Sequence, residues 1–553
     1  MQIANKISKH FIPLLVIGLA ANATGLLNDI LEPDGALYAT IAKTIVLKND
    51  WISLYVDGLD WLDKPHLPFW LAAVSFKIFG IHSFAYKLPS FLCFLLGVFY
   101  TYKLAAKIYC KQLAQIATLI YISSLHVILC NFDVRAEGYL TAFVTAAIYH
   151  FYCAMKNPWL KHLVLAALYA ALAMMTKGIF VLITIASGFI VYWIATKQWK
   201  EFMNPKWYLL LLLSTVFITP ELYCLYHQFD LHPEKFVLNS FTKYNVSGIK
   251  FFFWDSQFGR FFNTGPIQGK GDIFFFLHTT LWAFLPWIFY LLFAIYKAKK
   301  SIKTTTTTKG IIINAAAIIT FVIFSISKFQ LPHYIVIIFP LFSIAVANYL
   351  LGIKSPKTIH QLIHIQSFVF VILLVFIGII AVFYHINNLY ILLSFAGIIT
   401  MFFFFKLKNK TQYVIVVKGL CFSVLLAMFL NFIFYPQLMQ YQAGMVAGKW
   451  QQKNLPNSSI SMFNCDEYSF QFYGNTSFQF VINASDLFKK NNTAIVFIKK
   501  HEIPKINADS FSIRALQSFS HFHISMLNAK FINHKTRSQT LDTMQIVEIK
   551  RMK

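Results

Sequence analysis

The chain has 553 residues, of which 58% are hydrophobic and 13% charged, and its mean hydropathy is +0.59. A soluble globular chain carries about 25% charged residues, so a soluble enzyme, a disordered chain and a secreted disulfide scaffold are excluded, and the composition reads as a polytopic membrane protein. The net charge of +26 is spread between apolar runs, the pattern of membrane topology and not of a nucleic-acid footprint. No nucleic-acid partner is expected. Six cysteines (Cys93, Cys110, Cys130, Cys153, Cys224, Cys421) lie in or beside apolar runs, and only Cys465 falls in the polar C-terminal part.

A bilayer-crossing helix needs about 20 apolar residues. Runs of that kind lie near 10–27, 84–106, 113–131, 139–155, 161–176, 178–196, 207–227, 273–296, 310–328, 333–352, 362–385, 389–405 and 412–435, which predicts about thirteen membrane helices. The first run follows Lys6 and Lys9 but has no convincing small-x-small cleavage site, so it is read as an anchor. Alternate connections hold the lysines: Lys107 and Lys111, Lys156 and Lys161, Lys197 to Lys206, Lys297 to Lys309, Lys354 and Lys357, and Lys406 to Lys410. By the positive-inside rule these face the cytoplasm. The N-terminus is then cytoplasmic and the C-terminus external, in a multi-pass protein of a bacterial-type inner membrane.

The carboxylates fall on the opposite side. Of the fifteen Asp and Glu residues before 436, thirteen lie in three external connections, and only Glu201 is cytoplasmic. Acidic residues contribute little to topology, so the asymmetry points to an external, carboxylate-rich cavity. The external loop 28–83 carries two helical patterns, 34–48 and 66–80, expected to lie as amphipathic helices on the outer membrane surface. After about 435, Asn, Ser, Lys and Gln rise and short strand patterns appear (Ser459–Phe463, Ala494–Ile498, Gln545–Ile549) between helical ones (Tyr441–Lys453, Ile482–Lys490). Residues 436–553 are expected to form an external soluble α/β domain, and residues 1–435 the transmembrane domain.

Candidate site residues follow from placement. Asp34 starts a helix, where an acidic residue is commonly a cap, but Tyr38 lies one turn on and the loop is tethered to the bilayer. Asp63-Lys64-Pro65 is a turn by composition, and its lysine beside a carboxylate makes an anion site. Arg135 and Glu137 stand two apart at a span boundary. Lys177, Arg260 and Lys328 are basic points on the external side, the last within Lys328-Phe329-Gln330-Leu331-Pro332-His333-Tyr334. Gly265-Pro266-Ile267-Gln268-Gly269-Lys270 fails as a P-loop by spacing, with Gly271 in place of Ser or Thr. No HExxH or GxSxG motif occurs.

Glu32-Pro33-Asp34-Gly35-Ala36-Leu37-Tyr38-Ala39, Lys48-Asn49-Asp50-Trp51 and Asp63-Lys64-Pro65-His66-Leu67-Pro68-Phe69-Trp70 together resemble the first external loop of GT-C glycosyltransferases that use polyprenyl-phosphate sugars. The lipid A aminoarabinose transferases and protein O-mannosyltransferases are the most similar. Arg135-Ala136-Glu137, Thr176-Lys177-Gly178, Pro286-Trp287 and Ser327–Tyr334 match further motifs. The resemblance implies a polytopic α-helical GT-C fold and inverting transfer from a polyprenyl-phosphate-linked sugar donor to a lipid, glycan or protein acceptor among membrane lipids. It implies Asp34 as general base, with Glu137 and Asp63 as further catalytic carboxylates. Lys64, Arg260, Lys328 and Tyr334 would bind the donor phosphate, supported by Tyr38, Arg135, Lys177 and His333. Gly35 and Asp63 both stand where Glu is usual, and Glu137 replaces an Asp. Ser256-Gln257 replaces a Glu-His pair near which some relatives place a divalent metal, so the resemblance leaves a divalent metal open as the one candidate cofactor. The rival class is a transporter or flippase of an anionic lipid, for which broken helices in an internal repeat would be expected.

Overall fold

The computed structural model describes residues 2–156, 160–235, 237–238, 245–301, 308–386, 393, 396–400, 411–474, 478–488, 492–506 and 511–552. The chain is mostly helical up to about residue 454. Among the described residues, six helices are long and apolar enough to cross a membrane: Lys9–Leu27, Ser83–Ile108, Leu160–Lys177, Pro332–Leu351, Pro356–Tyr384 and Gln412–Tyr441. The number rises to eight if two bent pairs each count as one span, Lys111–Ile122 with Leu125–Phe132 (56°) and Pro205–Phe217 with Thr219–Asp230 (42°).

Fewer uninterrupted spans are seen than the hydropathy pattern predicts, for local reasons. The 273–296 run is interrupted between Phe275–Ala283 and Ile288–Ser301, around Leu285-Pro286; proline cannot donate the helix hydrogen bond. The 139–155 run is one helix, Ala136–Lys156, whose Glu137, Thr141, Thr145 and His150 reduce its hydropathy while being buried against other helices. The 389–405 run lies largely outside the described residues. Pro286-Trp287 is a packing element: Trp287 is fully buried, its indole donates to Ser123 Oγ at 2.9 Å, and Leu125 N donates to Leu285 O at 2.8 Å across the bend in 111–132.

The 28–83 loop folds around a small core of its own. Its two helices, Asp34–Lys48 and Leu67–Phe79, enclose Ile41, Ile45, Leu54, Val56, Trp61 and Phe69. Strand Leu59–Trp61 pairs antiparallel with Tyr55–Val56 and parallel with Val237–Leu238, tying the loop to a later connection of the chain. Asp34–Lys48 therefore does not lie on lipid as expected; it is covered by the loop's own core at Ile41 and Ile45 and by the main helical core at Ala36, Ala39 and Ala42, and Leu47 is the apolar position left exposed. Leu67–Phe79 keeps an open apolar edge at Val74, Ile78 and Phe79.

The C-terminal region is built on a five-stranded sheet with strand order Gln479–Val481, Ile460–Phe463, Thr493–Lys499, Asp542–Arg551, Phe511–His521. The first three strands run parallel, and Asp542–Arg551 is antiparallel to both of its neighbours. Helix Tyr468–Tyr473 hangs from this sheet onto the 28–83 loop. There the Lys43 ammonium donates to the carbonyls of Gln471, Phe472 and Gly474 at 2.8, 2.9 and 2.7 Å. A lysine aimed at these carbonyls satisfies acceptors that a helix end leaves open. Burial lowers the Lys43 amine to about 8.

Candidate active site

The Asp63-Lys64-Pro65 turn is fixed from behind. The next residue, His66, donates its backbone N–H to Glu221 Oε2 at 2.9 Å, its Nδ1 faces Glu221 Oε1 at 2.9 Å, and its Nε2 faces Ile52 O at 3.0 Å. Both side chains are buried. A buried carboxylate with two donors is well satisfied, and here it holds the turn still. Glu221 was readable only as a carboxylate near the end of a span. Its role appears once the bend after Phe217 brings it beneath the loop.

From this support, Asp63 meets two cations. Its Oδ1 accepts from Arg260 Nη2 and its Oδ2 from Lys64 Nζ. Burial works to raise the Asp63 pKa, but Arg260 and then Lys64 outweigh it and hold the carboxyl well below the usual range. Burial alone would lower the Arg260 pKa, and the Asp63 charge more than restores it. Arg260 arrives on the short helix Arg260–Phe262, following the π-helical stretch Phe251–Gly259. Its Nε is buried and donates to nothing among the described residues, and its guanidinium lies 5.6 Å from the centre of the Phe329 ring.

A second ion-pair set lies alongside. Glu137, buried at the start of its helix, accepts from Lys177 Nζ, and His333 Nε2 is 3.7 Å from its other oxygen. The Lys177 ammonium also sits 3.5 Å from the centre of the Tyr334 ring, a cation–π contact. Lys177 can reach both because the chain turns sharply behind it at Gly178 (φ +105°), where the Gln257 amide donates to Lys177 O at 3.1 Å and accepts from Phe180 N at 3.4 Å. A Cβ at 178 would lie 2.2 Å from Gln257 Nε2. Lys177, an exception to the lysine pattern, thus has a buried carboxylate as its partner.

These groups surround one cavity. It takes in about 830 Å³, its open mouth included, and is lined by two kinds of side chain: Asp63, Lys64, Lys177, Arg260, Gln257 and Tyr334, and an apolar set that includes Phe180, Phe261, Phe276 and Phe324. A smaller space of about 300 Å³, lined among others by Tyr38, Phe69, Tyr86, Arg135 and Tyr139, touches the first through Lys64. Beside it, Arg135 bridges two carboxylates, donating from Nη1 to Asp34 Oδ2 and from Nε to Asp133 Oδ2 at 2.7 Å. Asp133 was not singled out in the sequence. Tyr38 packs edge-on to Trp61 and Phe69, and burial, then Asp34, raises its phenol pKa well above the ordinary value.

Two expectations change. Lys328 does not line the cavity: it is exposed, its backbone N–H donates to Phe261 O at 3.1 Å, and its stem lies along Gly271. The Gly265–Gly271 segment owes its glycines to such close approach, since a Cβ at Gly269 would come within 2.5 Å of Lys328 O. The residues around the cavity also do not fit a divalent metal. No three His, Cys, Asp or Glu side chains converge as a metal site among the described residues. Ser256-Gln257 offers instead an amide already engaged by the Lys177–Phe180 turn.

A family model described as dolichyl-phosphate-mannose-protein mannosyltransferase matches residues 63–224. An uncharacterized protein of Aquifex aeolicus is 27% identical over 343 residues, 61% of this chain and 62% of its own length. Undecaprenyl phosphate-alpha-4-amino-4-deoxy-L-arabinose arabinosyl transferase 1 of Proteus mirabilis is 26% identical over 329 residues, 59% of this chain and 56% of that protein. The chain thus aligns with less than two thirds of the length of these curated relatives. The crystal structure of ArnT from Cupriavidus metallidurans bound to undecaprenyl phosphate shares the fold, with a TM-score of 0.72 at 16% identity over 97% of each chain. In class, the chain resembles the GT-C membrane glycosyltransferases. Within that class it resembles ArnT in particular.

Proposed function

We propose that this chain is a membrane glycosyltransferase that moves a sugar from a polyprenyl-phosphate carrier to an acceptor on the external face of the cytoplasmic membrane, with inversion at the anomeric carbon. One observation carries the reading: a single cavity joins the cations Lys64, Arg260 and Lys177 to a phenylalanine-rich wall. Phosphate needs the first and a prenyl chain the second. The unpartnered Arg260 Nε is a donor in reserve for an anion beyond the one it already holds.

In the proposed step, an acceptor hydroxyl attacks the anomeric carbon from the side opposite the phosphate. Its proton passes to the Asp34 carboxylate, the new C–O bond forms, and the bond from the anomeric carbon to the phosphate oxygen breaks. Charge grows on the departing phosphate, where Lys64 and Arg260 are already aimed and need little reorganisation. Asp34 suits the base role because, among the described residues, only one of its oxygens is engaged, by Arg135. Glu137 holds Lys177 in place, and Tyr334 shields it from solvent. The acceptor is a hydroxyl or phosphate on lipid A, another glycan or a protein.

The test is incubation of purified protein with a polyprenyl-phosphate sugar and candidate acceptors. Release of free polyprenyl phosphate together with a glycosylated product supports transfer. Vectorial lipid movement in vesicles without release supports a flippase instead. The two bent helices are a feature that a lipid transporter would share, but neither bend, at 123–124 or at 218, lines the cavity. For the external face, a reporter active only outside the membrane should be active after Lys553 and silent at Ser301; the reverse would overturn the orientation.

A further inference from the structure

The C-terminal region grips the external loop within a few residues of Asp34. The Tyr473 hydroxyl accepts from Ile30 N at 2.8 Å, Gln442 accepts from Glu32 N at 3.0 Å and donates to Ile30 O at 2.9 Å, and the Thr40 hydroxyl donates to Tyr468 O at 3.0 Å. Two carboxyls meet in this interface. Glu32 Oε1 accepts from Ser469 N at 2.6 Å, and the Glu467 carboxyl lies within hydrogen-bonding reach of Glu32. Glu467 is buried and its Oε2 has no donor among the described residues, while a Cβ at Gly444 would come within 2.9 Å of that oxygen.

Two carboxylates in contact, Glu467 buried and Glu32 half-buried, cannot both stay ionised without a compensating cation. The other groups facing the pair are His521, whose Nε2 is 3.6 Å from Glu467 Oε1, together with His523, Lys499 and Asp466. Burial, with Lys499 next, holds His521 down to about 4, so it brings no charge near neutrality. Lys499 is opposed by Asp466. A proton between the two carboxyls completes the missing hydrogen bond.

We propose that Glu32 and Glu467 share one proton and act as a latch through which the C-terminal region positions Asp34, two residues along the chain. As a statement about positioning it rests on the reading of Asp34 as the base; as a statement about the interface it stands alone. Burial raises both carboxyls above their ordinary range. A group whose pKa is raised by docking contributes stability that is complete below its ordinary pKa and is lost as pH rises through the raised one. The latch is therefore closed toward acid and opens toward alkali.

The experiment is hydrogen exchange of the 468–474 amides in the full-length protein in detergent across a pH series, corrected for intrinsic exchange, with turnover of a polyprenyl-phosphate sugar read in parallel. Wild type should lose protection by about tenfold for each pH unit between the ordinary carboxyl pKa and the raised, shared one, the factor that one uncompensated proton sets, and level off above it. Glu467→Gln supplies a permanent N–H to Glu32 and should hold protection flat to higher pH. Glu32→Gln serves as a second variant with the same expected result. Where turnover is measurable, kcat should follow protection in wild type and lose that pH dependence in either Gln variant. Flat protection in wild type, or a wild-type pH curve in both Gln variants, overturns the latch. If the curves behave as expected while Asp34→Asn turns over normally, the latch stands and the base assignment falls.

Discussion

Asp34 and Asp63 lie in one loop, the first at the start of its first helix and the second in the turn before its second helix, and the difference between them is the number of cations each meets. Asp63 is 19% exposed and held by Arg260 and Lys64 together, whereas Asp34 is 37% exposed and, among the described residues, held by Arg135 alone. A carboxylate whose pKa is driven far down is a poor proton acceptor, so Asp63 suits the work of organising cations. Two carboxylates near one cavity thus divide into an anchor and a candidate base by their partners and not by their distance from the chemistry.

The largest expected effect breaks or sharpens that division directly. Asp34→Asn should lower turnover of lipid-linked sugar by about 10²–10⁴-fold, the range for a lost general base, with expression and membrane insertion unchanged. A helix start deprived of an acidic residue would change stability by only about 1 kcal/mol. Asp50→Asn, in the same loop, is the control. Should Asp34→Asn turn over normally, the base must be sought at Asp63 or Glu137.

Asp63→Asn should act differently. Because the Asp63 carboxyl is held well below its usual range, its contribution to stability is present above the ordinary Asp pKa and lost only as pH falls through the depressed value. Between pH 5 and 8 it has no titration to show, so the shape of the pH–rate profile should survive the substitution while the rate falls. A profile that loses its acid limb in Asp63→Asn would make Asp63 the base.

The next effect concerns the cations. Arg260→Ala should reduce turnover by about 10²-fold, comparable to loss of one preorganised donor to a developing anion. Lys64→Ala should weaken the dependence on donor concentration more than that on acceptor concentration. Equal weakening of both would place Lys64 outside the phosphate site. Smaller again is Gly178→Ala. A φ of +105° is foreign to a residue with a Cβ, and such strain amounts to about 1–3 kcal/mol. Thermal stability should fall, with turnover following through the displaced Lys177.

Much of this was legible in the sequence. Several of the apolar runs fall on helices observed, because run length is a local property of the chain. Asp63, Lys64, Arg260, Lys177 and Tyr334 were candidates and all line one cavity. What was hidden depends on contacts between distant segments. Glu221 supports His66 across 155 positions, and Asp133 shares Arg135 with Asp34, which no spacing rule reveals. The strand Phe511–His521 was missed because polar residues interrupt its pattern; it lies at a sheet edge with only one partner strand and most of its side chains open to solvent. Helix Asp34–Lys48 was read as lipid-facing because an apolar stripe does not say whether lipid or protein will cover it.

The smallest expected effect is the most discriminating for how the cavity's cations were chosen. Lys328 belongs to the same Ser327–Tyr334 motif that brings Tyr334 into the cavity, and by motif alone it ranks with Lys64 and Arg260 as a phosphate ligand. Its position argues otherwise. The backbone bond to Phe261 O and the close approach of Gly269 and Gly271 fix its main chain, while the side chain runs outward along Gly271 into solvent. An exposed lysine with no ion pair among the described residues is worth little to stability, and surface substitutions of this kind fall within about 0.5 kcal/mol. Lys328→Ala should therefore leave thermal stability and the dependence on donor concentration within about twofold of wild type, while Lys64→Ala and Arg260→Ala do not. A loss in Lys328→Ala as large as in Arg260→Ala would mean that the 327–334 segment turns inward when the donor binds, and the two-cation site would become a three-cation one.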